Sequence, residues 1–199
     1  WKSAACHLRA AGLPPDDERG RTAYAALDAG VNRICSSSAG RLFDAVSALL
    51  GVCDYSHYDG QCAIELERAA ARWARDAAPL AFEVTESGGA WIADFAPAIE
   101  ELAALRRRRT ADELAMRFHQ SVVAAAARVV SEIGRQTGLC DVVLSGGVFQ
   151  NRIVLAGAHA ALSAAGFRVY FNRQVPPGDG GVALGQACAA LWAANREGM

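Results

Sequence analysis

The sequence lacks the features that mark several common classes of function. It carries 20 basic and 21 acidic residues, for a formal net charge of -1, so it has no excess of positive charge to gather nucleic acid or an anionic membrane surface. It also lacks an apolar run long enough to cross a bilayer and a charged segment followed by a signal-peptide core. We therefore expect a soluble, cytoplasmic protein that binds neither nucleic acid nor membrane, and its start at Trp1 suggests the C-terminal piece of a longer protein.

Cysteine motifs are missing as well. The cysteines form no CxxC pair and show no disulfide spacing. They are Cys6, Cys35, Cys53, Cys62, Cys140 and Cys188. Because most lie in apolar stretches, we interpret them as small buried hydrophobes in a reducing compartment.

The histidines show no metal-binding spacing. They are His7, His57, His119 and His159. None has a histidine partner four residues away, so the sequence does not predict a complete metal site. Serine, cysteine and histidine also fail to form a recognisable nucleophile arrangement, and no catalytic residue is predicted in this chain.

One basic cluster is present, at Arg106 to Arg109. It could pair with a phosphate or lie in solvent at the end of a helix. We favour the solvated interpretation, because stacking aromatics and a wider basic stripe are both absent.

The composition indicates a globular α/β or α+β protein. Hydrophobic residues make up 52% of 199 residues, with 19 glycines and 6 prolines, which allows one large domain or two small subdomains. We expect residues 1–80 to be mainly helical, with a helix over about 62–76. We expect residues 81–199 to hold a β-hairpin at Glu86 to Gly89, a long helix and a β-α-β-α run.

Two helices carry the clearest signals. The stretch "SSSAGRLFDAVSALLG" predicts a helix that ends at Gly51, with Asp44 on a face of small and polar residues. Asp44 could accept hydrogen bonds from sugar hydroxyls or pair with Arg41, and both interpretations stay open. The stretch "TADE" predicts a capping box in which Thr110 and Glu113 begin the longest helix. Its predicted core positions are Leu114, Phe118, Val122, Val129 and Ile133.

The last stretch predicts two parallel strands, at 141–145 and 167–171, each followed by a glycine-rich loop and a helix. Ligands bind at the carboxyl edge of such strands. Gly146 and Gly147 could approach a phosphate or be structural. Asn151 could cap a helix or turn its amide to a ligand, with the cap favoured. Asp179, in "PPGDGG", could cap a helix or bind a metal.

Three stretches together resemble the C-terminal part of the hydrogenase maturation carbamoyltransferase HypF. They are "SSSAGRLFDAVSALLG" with "YDGQCAIELE", then "LSGGVFQNRIVL", and then "GFRVYFNRQVPPGDGGVALGQA". The segments "WKSAACHLRAAG" and "MRFHQSVVAAAA" also fit, so the resemblance covers nearly the whole chain in order.

The resemblance implies an α/β fold: the C-terminal ribonuclease-H-like lobe of an actin-like ATPase (sugar kinase/Hsp70/actin) fold, with helical insertions and a hairpin, over residues 1–199. Members of this family use carbamoyl phosphate and ATP to make carbamoyl-adenylate. They transfer the carbamoyl group to the C-terminal cysteine of HypE, on the route to the cyanide ligands of nickel-iron hydrogenase. An upstream lobe and a YrdC-like domain of the same protein are implied as partners.

The resemblance also implies roles for individual residues. Asp44 corresponds to the acid that binds ribose hydroxyls, and Gly60 lies in a nucleotide-contacting loop. Gly146, Gly147 and Asn151 correspond to the phosphate and ribose end of the pocket. Asp179 corresponds to a carboxylate ligand of an iron or zinc ion that is shared with two upstream histidines, and Mg would accompany the ATP.

Two other functions remain open at this stage. A small-molecule O-carbamoyltransferase would share this lobe but transfer to a sugar hydroxyl. A non-catalytic binding or assembly lobe would use the glycine loops only for packing.

Overall fold

The computed structural model describes residues 1–31 and 33–197, and for Arg196 and Glu197 the backbone alone. Eight α-helices lie in the described part of the chain: α1 (Lys2–Ala10), α2 (Glu18–Asp28), α3 (Ala39–Leu49), α4 (Gln61–Arg72), α5 (Ala96–Leu105), α6 (Ala111–Thr137), α7 (Arg152–Ala164) and α8 (Val182–Glu197). Four strands accompany them: β1 (Glu83–Ser87), β2 (Ala90–Asp94), β3 (Asp141–Leu144) and β4 (Arg168–Phe171). Short 3-10 turns cover Gly147–Gln150 and Asp179–Gly181.

The main core lies among the helices of the first half and the N-terminal half of α6. Phe118 of α6 is fully buried and meets Phe43 of α3 edge to face, with ring centroids 5.0 Å apart. Leu66 of α4 and Leu102 of α5 are also fully buried in this cluster. Apolar residues three and four apart on each helix produce this arrangement, because they form one stripe that is removed from water.

The two sheets have different topologies. Strands β1 and β2 form an antiparallel hairpin through Gly88 and Gly89, which both adopt positive φ, of 61° and 80°. This is the geometry that favours glycine in a two-residue turn. Strands β3 and β4 pair in parallel, from Asp141 beside Arg168 to Leu144 beside Phe171, with α7 as the crossover.

The parallel sheet is covered on one face. Leu144, Ala158 and Leu162 form a second, smaller core beneath it. On the opposite face, Val143 is 69% exposed and Tyr170 is 54% exposed. Helix α8 is also exposed over its described side chains, from Val182 to Asn195.

Helix α6 meets its neighbours through glycines. A Cβ on Gly157 of α7 would lie 2.8 Å from Cγ2 of Val123, and a Cβ on Gly134 would lie 2.7 Å from the ring of Phe167. Glycine at these two positions therefore sets how closely α7 and the β4 segment approach α6.

Several predicted elements are confirmed. The hairpin, the parallel β-α-β unit, the stop at Gly51 and the long helix ending at Gly138 are all present. Thr110 accepts a hydrogen bond from the Glu113 N–H at 3.2 Å, as predicted. The Glu113 carboxylate instead pairs with Arg109 at 3.7 Å, so only one half of the capping box forms.

Other predictions are wrong in detail. Helix α4 ends at Arg72 rather than Asp76, because Trp73 turns to extended backbone with ψ of 97°. Ile133 is 38% exposed and outside the core. Within the described residues only Cys62 is a buried cysteine. Cys53 is half-buried and Cys6, Cys35, Cys140 and Cys188 are exposed, so the interpretation of the cysteines as buried hydrophobes fails.

The arginine cluster divides into two parts. Arg107 and Arg108 are exposed, in agreement with the solvated interpretation. Arg106 is instead partly buried and donates to both carboxylate oxygens of Asp16, which links the end of α5 to the loop before α2. In the described parts of the chain, no helix combines the length and the apolar character needed to cross a membrane.

Candidate nucleotide and metal site

The two glycine-rich loops lie against each other at the carboxyl edge of the parallel sheet. The Gly146 N–H donates to the Pro177 carbonyl at 2.8 Å. A Cβ on Gly178 would lie 3.8 Å from the Cα of Gly147. The crossover topology places both loops at one edge because β3 and β4 run in the same direction.

A cavity of about 710 Å³ opens beside these loops. Pockets of a few hundred to about 1,000 Å³ are typical of small-molecule and cofactor sites. The candidate residues that line it are Asp44, Gly60, Gly147, Asn151 and Asp179. The structure therefore brings residues from α3, the loop before α4 and both glycine loops to one place. Gly146 does not line the cavity, and its role is to join the two loops.

Glycine occurs at the positions of the site for two different reasons. Gly60, with φ of 77°, and Gly146, with φ of 99°, adopt backbone conformations that side chains rarely tolerate. Gly147 has an ordinary φ, and a Cβ there would meet no protein atom within 4 Å. Glycine at Gly147 is thus required neither by the backbone nor by packing within the described residues. Its bare backbone leaves space on the cavity wall.

Asp44 forms the Arg41 pair that the sequence allowed, and its binding of sugar hydroxyls stays a prediction. Its Oδ2 accepts from Nη1 of Arg41 at 3.0 Å, and its side chain, 21% exposed, lines the cavity. Burial raises the pKa of Asp44, Arg41 lowers it, and Asp59 nearby raises it further. The Arg41 pair therefore offsets part of the cost of holding a carboxylate at the cavity wall.

Asn151 is a helix cap, as favoured from the sequence. Its Oδ1 accepts from the Val154 N–H at 3.0 Å at the start of α7. Its Nδ2 donates to Nε2 of His119 at 2.9 Å. These two bonds use Oδ1 and one N–H of the amide, and Asn151 also lines the cavity, so the interpretation of its amide as a ligand contact stays a prediction.

Asp179 does not cap a helix. The 3-10 turn that it begins has Gly178 as its N-cap, with no side-chain cap bond. Within the described residues, the Asp179 carboxylate accepts no hydrogen bond, so its oxygens are available to a cation. The same part of the chain holds no cluster of three or more histidine, cysteine or acidic side chains that would complete a metal site.

Sequence reasoning missed four residues at or behind the cavity. Asp59, Glu67 and Gln150 line it, and His119 supports Asn151 from the core. Glu67 accepts from the Arg152 N–H at 2.7 Å, which satisfies another free N–H of α7. The only signal for them was their position inside the stretches "YDGQCAIELE", "GGVFQN" and "MRFHQ".

The lining is acidic. Its charged side chains are Arg41, Asp44, Asp59, Glu67 and Asp179. A phosphate group entering alone would meet an excess of negative charge, so an anionic ligand needs a cation with it or must present its phosphates to the glycine backbone.

Comparison with known proteins identifies the family. Residues 1–186 match the family model described as "Carbamoyltransferase, Kae1-like Domain, second subdomain". The chain belongs to the HypF carbamoyltransferase family.

Individual HypF proteins agree with this assignment. The chain is 34% identical over 220 residues to carbamoyltransferase HypF2 of Cupriavidus necator, covering 96% of this chain and 27% of that protein. It is 38% identical over 200 residues to carbamoyltransferase HypF of Rhodobacter capsulatus, covering 96% of this chain and 25% of that protein. The chain thus spans about a quarter of the length of these two HypF proteins.

Solved HypF structures share the fold. A crystal structure of full-length HypF in the phosphate- and nucleotide-bound form matches with a TM-score of 0.77 and 32% identity, over 94% of this chain and 24% of that chain. The crystal structure of T. kodakarensis HypF matches with a TM-score of 0.75 and 28% identity, over 89% of this chain and 23% of that chain. The fold is therefore the α/β fold of the HypF Kae1-like domain.

Proposed function

We propose that this chain supplies one wall of the nucleotide and metal site of a cytoplasmic HypF-type carbamoyltransferase. The complete protein would use carbamoyl phosphate and ATP to form carbamoyl-adenylate and would carbamoylate the C-terminal cysteine of a HypE-like acceptor. An upstream lobe and a YrdC-like domain would be its partners within the protein. The observation that carries the proposal is the convergence of Asp44, Gly60, Gly147, Asn151 and Asp179 on one cavity.

The finer fold assignment belongs to the same proposal. The parallel β3-α7-β4 unit, with α6 packed against α7, would be part of the C-terminal ribonuclease-H-like lobe of an actin-like ATPase fold. In such a fold the nucleotide lies between two lobes, which agrees with a cavity that is open to solvent on one side. The exposed face of the parallel sheet is also in keeping with a larger assembly.

The residues of this chain would mainly bind and orient the nucleotide. The Asp44 carboxylate, held by Arg41, would accept from ribose hydroxyls. The backbone at Gly147 would lie against a phosphate, and the free N–H of Asn151 would donate to the phosphate or ribose end. Holding two reactants in a fixed geometry removes much of the entropic cost of their encounter.

The Asp179 carboxylate would suit one ligand of a metal ion whose other protein ligands come from the upstream part of the protein. Asp179 has an unengaged carboxylate on the cavity wall, and carboxylates are suitable ligands for Mg²⁺, iron and zinc. A bound cation would supply charge neutralisation for phosphate and polarisation of a carbonyl oxygen. Because the cavity lining is otherwise acidic, Asp179 needs that cation before an anionic substrate can lie beside it.

The test uses the protein at its natural length with Asp44→Ala, Asp179→Ala and, as a matched control, Asp28→Ala. Asp28 also pairs with an arginine, Arg9 at 3.0 Å, but lies outside the cavity. Calorimetric titration with Mg-ATP measures binding, and carbamoyl-phosphate-dependent release of pyrophosphate measures adenylate formation. We expect Asp44→Ala to weaken ATP binding by about tenfold or more, the loss of one charge-assisted hydrogen bond. We expect Asp28→Ala to change neither readout.

Three outcomes would count against parts of the proposal. Insensitivity of both readouts to Asp44→Ala and Asp179→Ala would favour a non-catalytic binding or assembly lobe. Transfer of the labelled carbamoyl group to a sugar hydroxyl, and not to a peptide ending in cysteine, would favour a small-molecule O-carbamoyltransferase. Absence of carbamoyl-adenylate with all substrates present would reject the proposed reaction.

A further inference from the structure

Cys53 and Cys62 lie close together at the entrance to α4. Their sulfur atoms are 2.7 Å apart, only about 0.7 Å more than a covalent S–S bond. Cys53 is half-buried and Cys62 is 4% exposed. Reaching a bonding distance therefore requires a small side-chain movement and no rearrangement of the fold.

The loop between the two cysteines is folded so that it holds them together. Gly60 reverses the chain with φ of 77°. The His57 N–H donates to Oε1 of Gln61 at 2.7 Å, and the Ser56 hydroxyl lies 3.0 Å from the Cys62 sulfur. These bonds pre-organise the pair, because the loop is already closed before any covalent bond forms.

Cys53 is the more accessible cysteine of the pair. Cys53 lines a second cavity, of about 360 Å³, beside Trp1 and Asp54. A disulfide reagent that approaches through this cavity would therefore meet Cys53 before Cys62, which is buried.

We propose that Cys53 and Cys62 are a reversible disulfide-forming pair, and hence a redox modification site at the foot of α4. The loop that this disulfide would close contains Asp59 and Gly60, which line the candidate nucleotide cavity. Oxidation would therefore fix the position of part of that cavity wall.

The reaction needs an exchanging disulfide such as oxidised glutathione. The Cys53 thiolate attacks one sulfur of that disulfide, which breaks its S–S bond and releases the first glutathione thiolate. The Cys62 thiolate then attacks the Cys53 sulfur of the mixed disulfide and releases the second. The two protons of the protein thiols pass to the two glutathione thiolates, so the protein pair is oxidised while one oxidised glutathione is reduced.

The rate of this reaction should depend strongly on pH. Burial and the contact with Cys62 raise the pKa of Cys53 to about 11. The thiolate fraction, and with it the rate of the first step, should rise by about tenfold for each pH unit between pH 7 and pH 9.

Mass spectrometry of the natural-length protein tests the proposal. Trypsin releases residues 42–68 as one peptide that contains both cysteines, because no lysine or arginine lies between Arg41 and Arg68. After equilibration with oxidised and reduced glutathione and alkylation of free thiols, we expect this peptide without alkyl groups and lighter than the dithiol by about 2 Da. The exposed Cys6, Cys35, Cys140 and Cys188 should instead carry alkyl groups or glutathione.

Two control variants and a comparison in urea make the result decisive. Cys53→Ser should leave Cys62 alkylatable, whereas Cys140→Ser should leave the bond unchanged. In urea, where the native arrangement is lost, the equilibrium constant for the intrachain disulfide should fall by at least about tenfold. Recovery of the peptide with two alkyl groups, with glutathione on Cys53, or with equal bond formation in urea would overturn the proposal. The readout is covalent, so it succeeds or fails independently of nucleotide binding.

Discussion

The imidazole of His119 accepts a hydrogen bond at Nε2 from the side-chain amide of Asn151, across 2.9 Å in the core. Its Nδ1 lies 2.7 Å from the Ala115 carbonyl, which fixes Nδ1 as the protonated nitrogen. His119 is fully buried and packs edge to face on Phe43. A neutral histidine on α6 thus hydrogen-bonds to Asn151, the residue that caps α7 and lines the cavity.

Removing this acceptor should destabilise the chain. His119→Leu would leave Nδ2 of Asn151 without its acceptor in the core, at a cost of about 1–3 kcal/mol in the free energy of unfolding. His119→Gln, which can present an oxygen near the position of Nε2, should cost less. Urea unfolding measures both, and the exposed His57→Leu serves as a control with a change under about 0.5 kcal/mol. A loss for His119→Leu no larger than that of the control would show that the bond contributes nothing.

The same histidine predicts a pH dependence of stability. Burial lowers the pKa of His119 to about 4, and the bond to Ala115 only partly opposes this shift. Between pH 6.5 and 4 the unfolded chain binds a proton at this residue that the folded chain does not, so stability falls as the pH falls through this window. The full difference is about 3 kcal/mol, and it is complete near pH 4.

Urea unfolding at a series of pH values measures this loss. His119→Gln should flatten the curve in this window, apart from a smaller contribution in the same direction from His7, whose pKa burial also lowers. A curve that stays equally steep in His119→Gln would assign the dependence to other groups.

His119 also shows the limit of sequence reasoning here. The spacing of Leu114 and Phe118 predicted the buried face of α6, and the glycine loops predicted the carboxyl edge of the sheet. Nothing in the spacing indicated that His119 would meet Asn151, because 32 residues separate them and only tertiary packing joins them. The same holds for Glu67 and Arg152, whose contact spans 85 residues.

The predicted end of helix α4 was wrong for a different reason. Alanine and arginine in residues 70–76 have good helix propensity, so the pattern extended α4 too far. In the folded chain the segment after Trp73 leaves the helix to reach Leu80, which is buried against Ser121. Tertiary burial of Leu80 overrides local propensity at this position.

Ser121 provides a test of that segment. Its hydroxyl accepts from the Leu80 N–H at 2.7 Å and lies 3.1 Å from the Leu80 carbonyl. Ser121→Ala would leave the buried N–H of Leu80 unsatisfied and should cost about 1–3 kcal/mol. Ser163→Ala, on the exposed face of α7, is the matched control and should be near neutral. Thermal or urea unfolding of the two variants gives the comparison, and equal stabilities would refute the role of Ser121.

The crossing of α6 and α7 gives a steric prediction. Gly157→Ala would place a Cβ 2.8 Å from Val123, so the helices must separate or Val123 must leave its rotamer. We expect a loss of about 1–3 kcal/mol. Gly185→Ala in exposed α8 meets no atom within 4 Å and should gain up to about 1 kcal/mol from helix propensity. A Gly157→Ala variant as stable as the parent would show that the two helices separate at no cost.

The hydrogen bond from the Gly146 N–H to the Pro177 carbonyl ties the second glycine loop to the first. Asp179 and the start of α8 follow Pro177 within five residues, and the α8 side chains from Val182 to Asn195 are exposed. Gly147 and Asp179, which both line the cavity, therefore do not take their positions independently, because their two loops share this hydrogen bond.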